Sequence, residues 1–138
     1  MSLPSRRPAT GELESSSRLP VVVRESPGKG RGAFANRPIA AGELLERAPV
    51  LVLSFDDLEL LNRTALDDYL VYWPLDSDEH QEAMALGLVA VANHSSAPNT
   101  RILRLVPERV VEWRALRDIE EGEELTFAYR CGAWFEEK

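Results

Sequence analysis

The apolar residues of this chain come in short runs, each closed by turn formers, and that pattern limits the chain to a fold of small strands. Val21-Val22-Val23 leads to the glycine cluster Gly28-Lys29-Gly30-Arg31-Gly32, Ala33-Phe34-Ala35 to Asn36-Arg37-Pro38, and Leu44-Leu45 follows the turn Ala41-Gly42. Val50-Leu51-Val52-Leu53 then runs into an acidic stretch. The pattern returns at 102–106, 110–116 and 125–129, the last two joined by the acidic turn Asp118-Ile119-Glu120-Glu121-Gly122. Runs of this length bounded by Gly, Pro and Asn read as strands. Between them, 64–70 and 82–86 carry helix formers, with Thr64 placed as a cap, so one or two short helices are expected there. No internal repeat or heptad pattern is evident. The expected class is mainly β with short helices.

At 138 residues and 44% hydrophobic composition, the chain is long enough for one domain with its own core. Residues 1–20, rich in Ser, Pro and Arg, read as a flexible tail, leaving 21–138 as the domain. The single cysteine, Cys131, excludes an internal disulfide and the cysteine-based zinc clusters, and His80 and His94 alone suggest no metal site. No apolar run approaches the roughly 20 residues of a membrane span, and the N-terminus lacks the apolar core of a signal peptide, so an intracellular protein without a membrane partner is expected. The net charge of −7 is concentrated: residues 54–82 hold nine acidic side chains against one base, Arg63. Such a balance disfavours direct binding to nucleic-acid phosphates and suits a cationic partner.

Two segments carry candidate chemistry. The first, Gly28 to Ala33, matches a dinucleotide-binding G-x-G-x-x-A, but Pro38 forbids the helix that must follow, and no Gly-Lys-Ser/Thr completes a P-loop. What remains is a tight turn needing positive φ, or a place where another molecule approaches the backbone. The second, Asn93-His94-Ser95, sets polar side chains directly after the apolar run Ala90-Val91-Ala92. A serine hydrolase built on His94 and Ser95 lacks the Gly-x-Ser-x-Gly elbow, and adjacent side chains on extended backbone do not aim at each other. A loop whose Asn and His satisfy local backbone groups fits equally well.

Taken in order and spacing, Gly30-Arg31-Gly32 with Ala33-Phe34-Ala35, then 40–45, then Asn93-His94-Ser95 with Pro98-Asn99, then 121–129 resemble the SET domain of protein-lysine methyltransferases. Residues 64–70 and 84–88 are similar in pattern to the small viral SET histone methyltransferase, a minimal member without cysteine-rich flanks. The resemblance implies a β-clip of several small sheets with a C-terminal pseudoknot, in which the last strand lies beside Asn-His-Ser. It implies S-adenosyl-L-methionine as cofactor, held by Lys29, Gly30, Arg31, Gly32, Asn93, His94, Tyr129 and Trp134. Tyr129 matches the catalytic tyrosine, and Tyr69, Ile102, Phe127 and Trp134 fall where the substrate lysine is held. Apolar side chains at Ile102 and Phe127 imply that di- or trimethylation is accessible. The implied substrate is a basic, histone-like protein, with 54–82 as an acidic insert beside its groove. A homodimer completing the channel is a further expectation. The rival expectation is a SET-like peptide-binding module without turnover.

Overall fold

The computed structural model describes residues 18–74 and 80–128. Among the described residues, nine strands form two sheets. In the smaller, β1 (Val21–Ser26), β2 (Gly30–Ala35), β9 (Glu124–Phe127) and β6 (Asn93–His94) lie in the order β1-β2-β9-β6. In the larger, the order is β4-β5-β3-β8-β7, from β4 (Leu70–Pro74), β5 (His80–Ala85), β3 (Leu44–Leu53), β8 (Val110–Ala115) and β7 (Thr100–Leu105). The main core takes residues from both, with Ala33, Trp73, Ala83, Ile102, Val111, Trp113 and Leu125 almost completely buried, and a smaller cluster holds Leu53, Leu58 and Leu70. The β-rich SET-type architecture expected from the sequence is therefore present.

The β1–β2 hairpin shows why the cluster is glycine-rich: Gly28 and Gly30 sit at φ of 78° and 79°, a region that costs an L side chain strain. The runs at 44–45 and 50–53 are one strand, because β3 pairs with β8 as far as Pro49 and with β5 from Val50 onward. Pro49, which has no N–H to give, stands at the handover, and its carbonyl accepts from Leu86 N at 2.9 Å.

Two expectations are corrected. Residues 82–86 are not helical; 82–85 belong to β5, paired with β3 on one side and β4 on the other. Ala83 and Ala85 are buried while Leu86 is exposed, and two flanking strands outweigh a helix propensity worth only tenths of a kcal/mol per residue. The acidic stretch does hold an α-helix, but it is α1 (Phe55–Leu61), closed by a capping box in which Asp57 N donates to Ser54 Oγ at 3.1 Å. The expected helix at 64–70 is a 3-10 helix, Ala65–Tyr69, capped by Thr64 as anticipated.

The chain also contains an internal repeat, contrary to the expectation of none. Arg-x-Ile-x-x-Gly-Glu-x-Leu occurs at 37–45 and again at 117–125, and both copies fold alike. Gly42 and Gly122 are at φ of 83° and 93°. Arg37 pairs with Glu43 at 2.7 Å and Arg117 with Glu123 at 3.1 Å, while Ile39 and Ile119 bridge each other at the centre. Each turn also bonds to the strand that precedes the other, Gly42 N to Ala115 O at 2.9 Å and Gly122 N to Ala35 O at 2.8 Å. The Arg37 guanidinium holds the Glu43 carboxyl below its ordinary range. The Glu120 N–H, seconded by Arg117, does the same for Glu123. The two nine-residue copies stand 80 residues apart, well outside the 20–50-residue periods that mark repeat architectures.

Candidate active site

The centre of the site is a strand crossing. The two-residue strand β6 lies parallel to β9, with Asn93 opposite Thr126 and His94 opposite Phe127, and Ser95 N donates to Phe127 O at 3.2 Å. A parallel pair this short has too few ladder bonds to hold itself. Side chains do the holding. Asn99, buried, donates from Nδ2 to Glu124 O at 2.8 Å and accepts at Oδ1 from Thr126 N at 2.9 Å, so one amide replaces a length of missing strand. Thr100 donates to Thr126 O and itself accepts from Trp113 Nε1 at 2.8 Å, both residues being fully buried.

Glu124 ties the hairpin to this crossing. Its Oε1 accepts from Ser26 Oγ at 2.9 Å and its Oε2 from Asn93 Nδ2 at 2.8 Å, and Asn93 Nδ2 also donates to Arg31 O at 3.0 Å. Gly32 is required at the point where these meet: a Cβ there would stand 2.5 Å from Glu124 Oε2 and 2.9 Å from Asn93 Nδ2. The segment leading into Asn93 is set from below by Glu46. Its carboxylate accepts from Leu88 N and Val89 N at 2.8 and 2.9 Å, capping the 3-10 helix Leu88–Val91, and it fills the space a side chain on Gly87 would need.

Two spaces flank the crossing. On one side a cleft of about 630 Å³ is lined by Lys29, Gly30 and Arg31 from the hairpin, by Asn93 and His94, and by Asp67, Asp68 and Tyr69 from the 3-10 helix. Next to it is a narrow apolar slot with about 10 Å³ of free space, roughly what one water-sized group occupies. Its walls are Tyr69, Val71, Ala85, Val89, Ala90, Ile102, Val111 and Phe127, so Tyr69 and Ala90 border both spaces.

The structure thus brings Lys29, Gly30, Arg31, Asn93 and His94 to one cleft and Tyr69, Ile102 and Phe127 to one slot, while Gly32 lies behind the cleft wall. Tyr129 and Trp134 lie outside the described residues, as do Cys131 and most of the tail 1–20. Residues 18–20 are tied to the body, Pro20 O accepting from Asn36 N at 2.8 Å. Sequence reasoning missed Glu124 and Glu46, and it set Asp67 and Asp68 only within the acidic insert beside the substrate groove, not on the wall of this cleft. Glu124 stood inside a quoted motif without a role, whereas Glu46 carries no local signal because its partners are more than forty residues away.

A parallel Asn-His strand laid on β9, a glycine hairpin lining the cleft and an apolar slot adjoining it are the arrangement expected of a SET domain. Residues 30–130 match the SET domain family, and the chain belongs to it. Among its relatives is the H3 lysine-37 specific histone-lysine N-methyltransferase of Schizosaccharomyces pombe, 34% identical over 122 residues that cover 88% of this chain and 80% of that protein. The Drosophila melanogaster histone-lysine N-methyltransferase Set8 is 33% identical over 117 residues, 78% of this chain but only 17% of that longer protein. The crystal structure of a candidate histone methyltransferase from Plasmodium falciparum shares the fold with a TM-score of 0.61, covering 81% of this chain and 94% of its own at 22% identity. The chain is accordingly a SET-domain protein of the protein-lysine methyltransferase class.

Proposed function

We propose that this protein transfers methyl groups from S-adenosyl-L-methionine to lysine side chains of a basic, histone-like protein, reaching di- or trimethyl-lysine. The observation that carries the reading is the pairing of the two spaces around the β6–β9 crossing: a polar cleft large enough for a nucleoside-sized ligand, and an apolar slot as narrow as a lysine tip. The residues present fit the cofactor. A cation-bearing hairpin with an open backbone at Gly30, where a Cβ would meet nothing within 4 Å, suits its carboxylate end, and Asn93 and His94 supply the adjoining wall. When bound, it supplies a methyl group on a cationic sulfur.

The chain's own work is to deliver a neutral amine in line with that methyl group. A free lysine has a pKa near 10.4, and desolvation among Val71, Val89, Ile102, Val111 and Phe127 lowers it, favouring the form with a lone pair. Fixing the amine's direction converts a bimolecular encounter into an oriented one. Tyr129 is proposed to orient amine and methyl through its hydroxyl, helped by weak CH···O contacts to backbone carbonyls. Among the described residues lining the slot only Tyr69 carries a hydroxyl, so Ile102 and Phe127 leave space rather than a hydrogen bond beside the amine, which supports repeated methylation. Exposed Leu51, Phe55, Leu60 and Leu86 give the chain apolar surface to bury in a homodimer, and sedimentation equilibrium reads that directly.

The test uses methyl-labelled cofactor, a mixture of core histones and other basic proteins, and the Tyr129→Phe variant. Wild type is expected to label lysine, with the variant at least tenfold slower but still binding cofactor. Cofactor binding without transfer to any substrate would instead make the protein a SET-like binding module.

A further inference from the structure

The cleft carries opposite charges on two separate elements. Lys29 and Arg31 stand on the β1–β2 hairpin, while Asp67 and Asp68 stand in the first turn of the 3-10 helix Ala65–Tyr69. That turn is fixed in place, with Leu66 N donating to Thr64 Oγ1 at 3.1 Å and Asp67 N to Thr64 O at 3.2 Å. Among the described residues, none of these four charged side chains enters an ion pair, although Arg37, Arg47, Arg114 and Arg117 elsewhere all do. Cations and anions that border one 630 Å³ space without neutralising each other are complementary to a ligand carrying both signs.

We propose that Asp67 and Asp68 make this cleft distinguish the methyl-bearing cofactor from its spent form by charge. The inference rests on the cleft being the cofactor site. S-adenosylmethionine carries a carboxylate, an ammonium and a sulfonium, for a net charge of +1; S-adenosylhomocysteine keeps the first two and has a neutral thioether. Transfer breaks the methyl–sulfur bond with its electron pair left on sulfur, forms the nitrogen–carbon bond from the amine lone pair, and sends the amine proton to solvent. One positive charge thereby leaves the cleft at each turnover. Lys29 and Arg31 face what substrate and product share. The aspartates' attraction for the sulfonium exists only before transfer. Their presence therefore tightens the substrate form relative to the product and lets the product leave.

The magnitude follows from Coulomb's law. A charge pair about 8 Å apart at an effective dielectric between that of a protein surface and water is worth a factor of roughly three to ten in affinity. The ammonium contributes equally to both ligands, so the ratio of dissociation constants, product over substrate, isolates the sulfonium.

Isothermal titration with S-adenosylmethionine, S-adenosylhomocysteine and sinefungin, whose amine replaces the sulfonium charge, gives that ratio without turnover. Asp67→Asn/Asp68→Asn is expected to lower the ratio at least threefold, with sinefungin following S-adenosylmethionine, whereas Asp56→Asn, on α1 and outside the cleft, leaves it unchanged. Wild type offers a second measurement that needs no variant: raising salt to about 0.5 M should weaken S-adenosylmethionine more than S-adenosylhomocysteine. An unchanged ratio in a folded double variant, or equal salt dependence for both ligands, overturns the inference and leaves the cofactor site standing. Failure of wild type to bind any of the three ligands removes the cofactor reading itself, and this proposal with it.

Discussion

Asn99 does the most for the site while touching neither of its spaces. Its amide bonds both ways to the backbone of β9, at Glu124 O and Thr126 N, from a position only 5% exposed. Asn99→Ala should therefore lose two bonds to buried backbone groups and leave them unsatisfied, at about 2–4 kcal/mol. Urea denaturation measures this, and a loss below about 1 kcal/mol would mean that β9 is held by its strand partners alone. The sequence marked Asn99 by motif, as it marked Gly32 and Asn93, but not the reason for any of them. That reason is distance across the fold. Gly32 lies 61 residues from Asn93 and 92 from Glu124, yet all three converge within a Cβ's reach.

At the scale of elements, most of what could be read locally was read correctly, and what depended on partners was not. The hairpin glycines, the turns at Gly42 and Gly122 and the Thr64 cap are dictated by φ and by a neighbouring side chain. The stretch 82–85 looks helical by composition and becomes a strand because β3 and β4 flank it. The α1 capping box, Ser54 with Asp57, was legible and overlooked. The paired turns yield a pH prediction. Glu43 and Glu123 both have folded pKa values depressed by their arginine and N–H partners, so their contribution to stability is fully present above the unfolded glutamate value, roughly 4.3, and is lost as pH falls through the lower folded values. Glu43→Gln/Glu123→Gln should melt below wild type at pH 7, with the gap closing in strong acid. A gap in Tm that stays constant with pH would show that these carboxylates act by packing rather than by charge.

For the whole molecule, the fold's achievement is to set β7 of the larger sheet beside β9 of the smaller, where Thr100 donates to Thr126 O, so that a charged cleft and an apolar slot share a wall at Tyr69 and Ala90. The acidic stretch at 54–82 serves more than one end within this plan: Asp57 caps α1, while Asp67 and Asp68 line the cleft. Its total charge was plain in the sequence, but its division among these places was not, because among the described residues it is the 3-10 helix that carries it into the cleft. Function rests on the identity of that shared wall. If the slot is where the target amine sits, its chemistry should obey the side chain at Phe127, which has no hydroxyl and is 2% exposed. Mass spectrometry of a methylated histone substrate, comparing wild type with Phe127→Tyr, tests this most directly. The expected result is di- or trimethyl-lysine from wild type and a shift toward monomethyl-lysine from the variant. Monomethyl-lysine alone from wild type, with the same pattern from Phe127→Tyr, would contradict it.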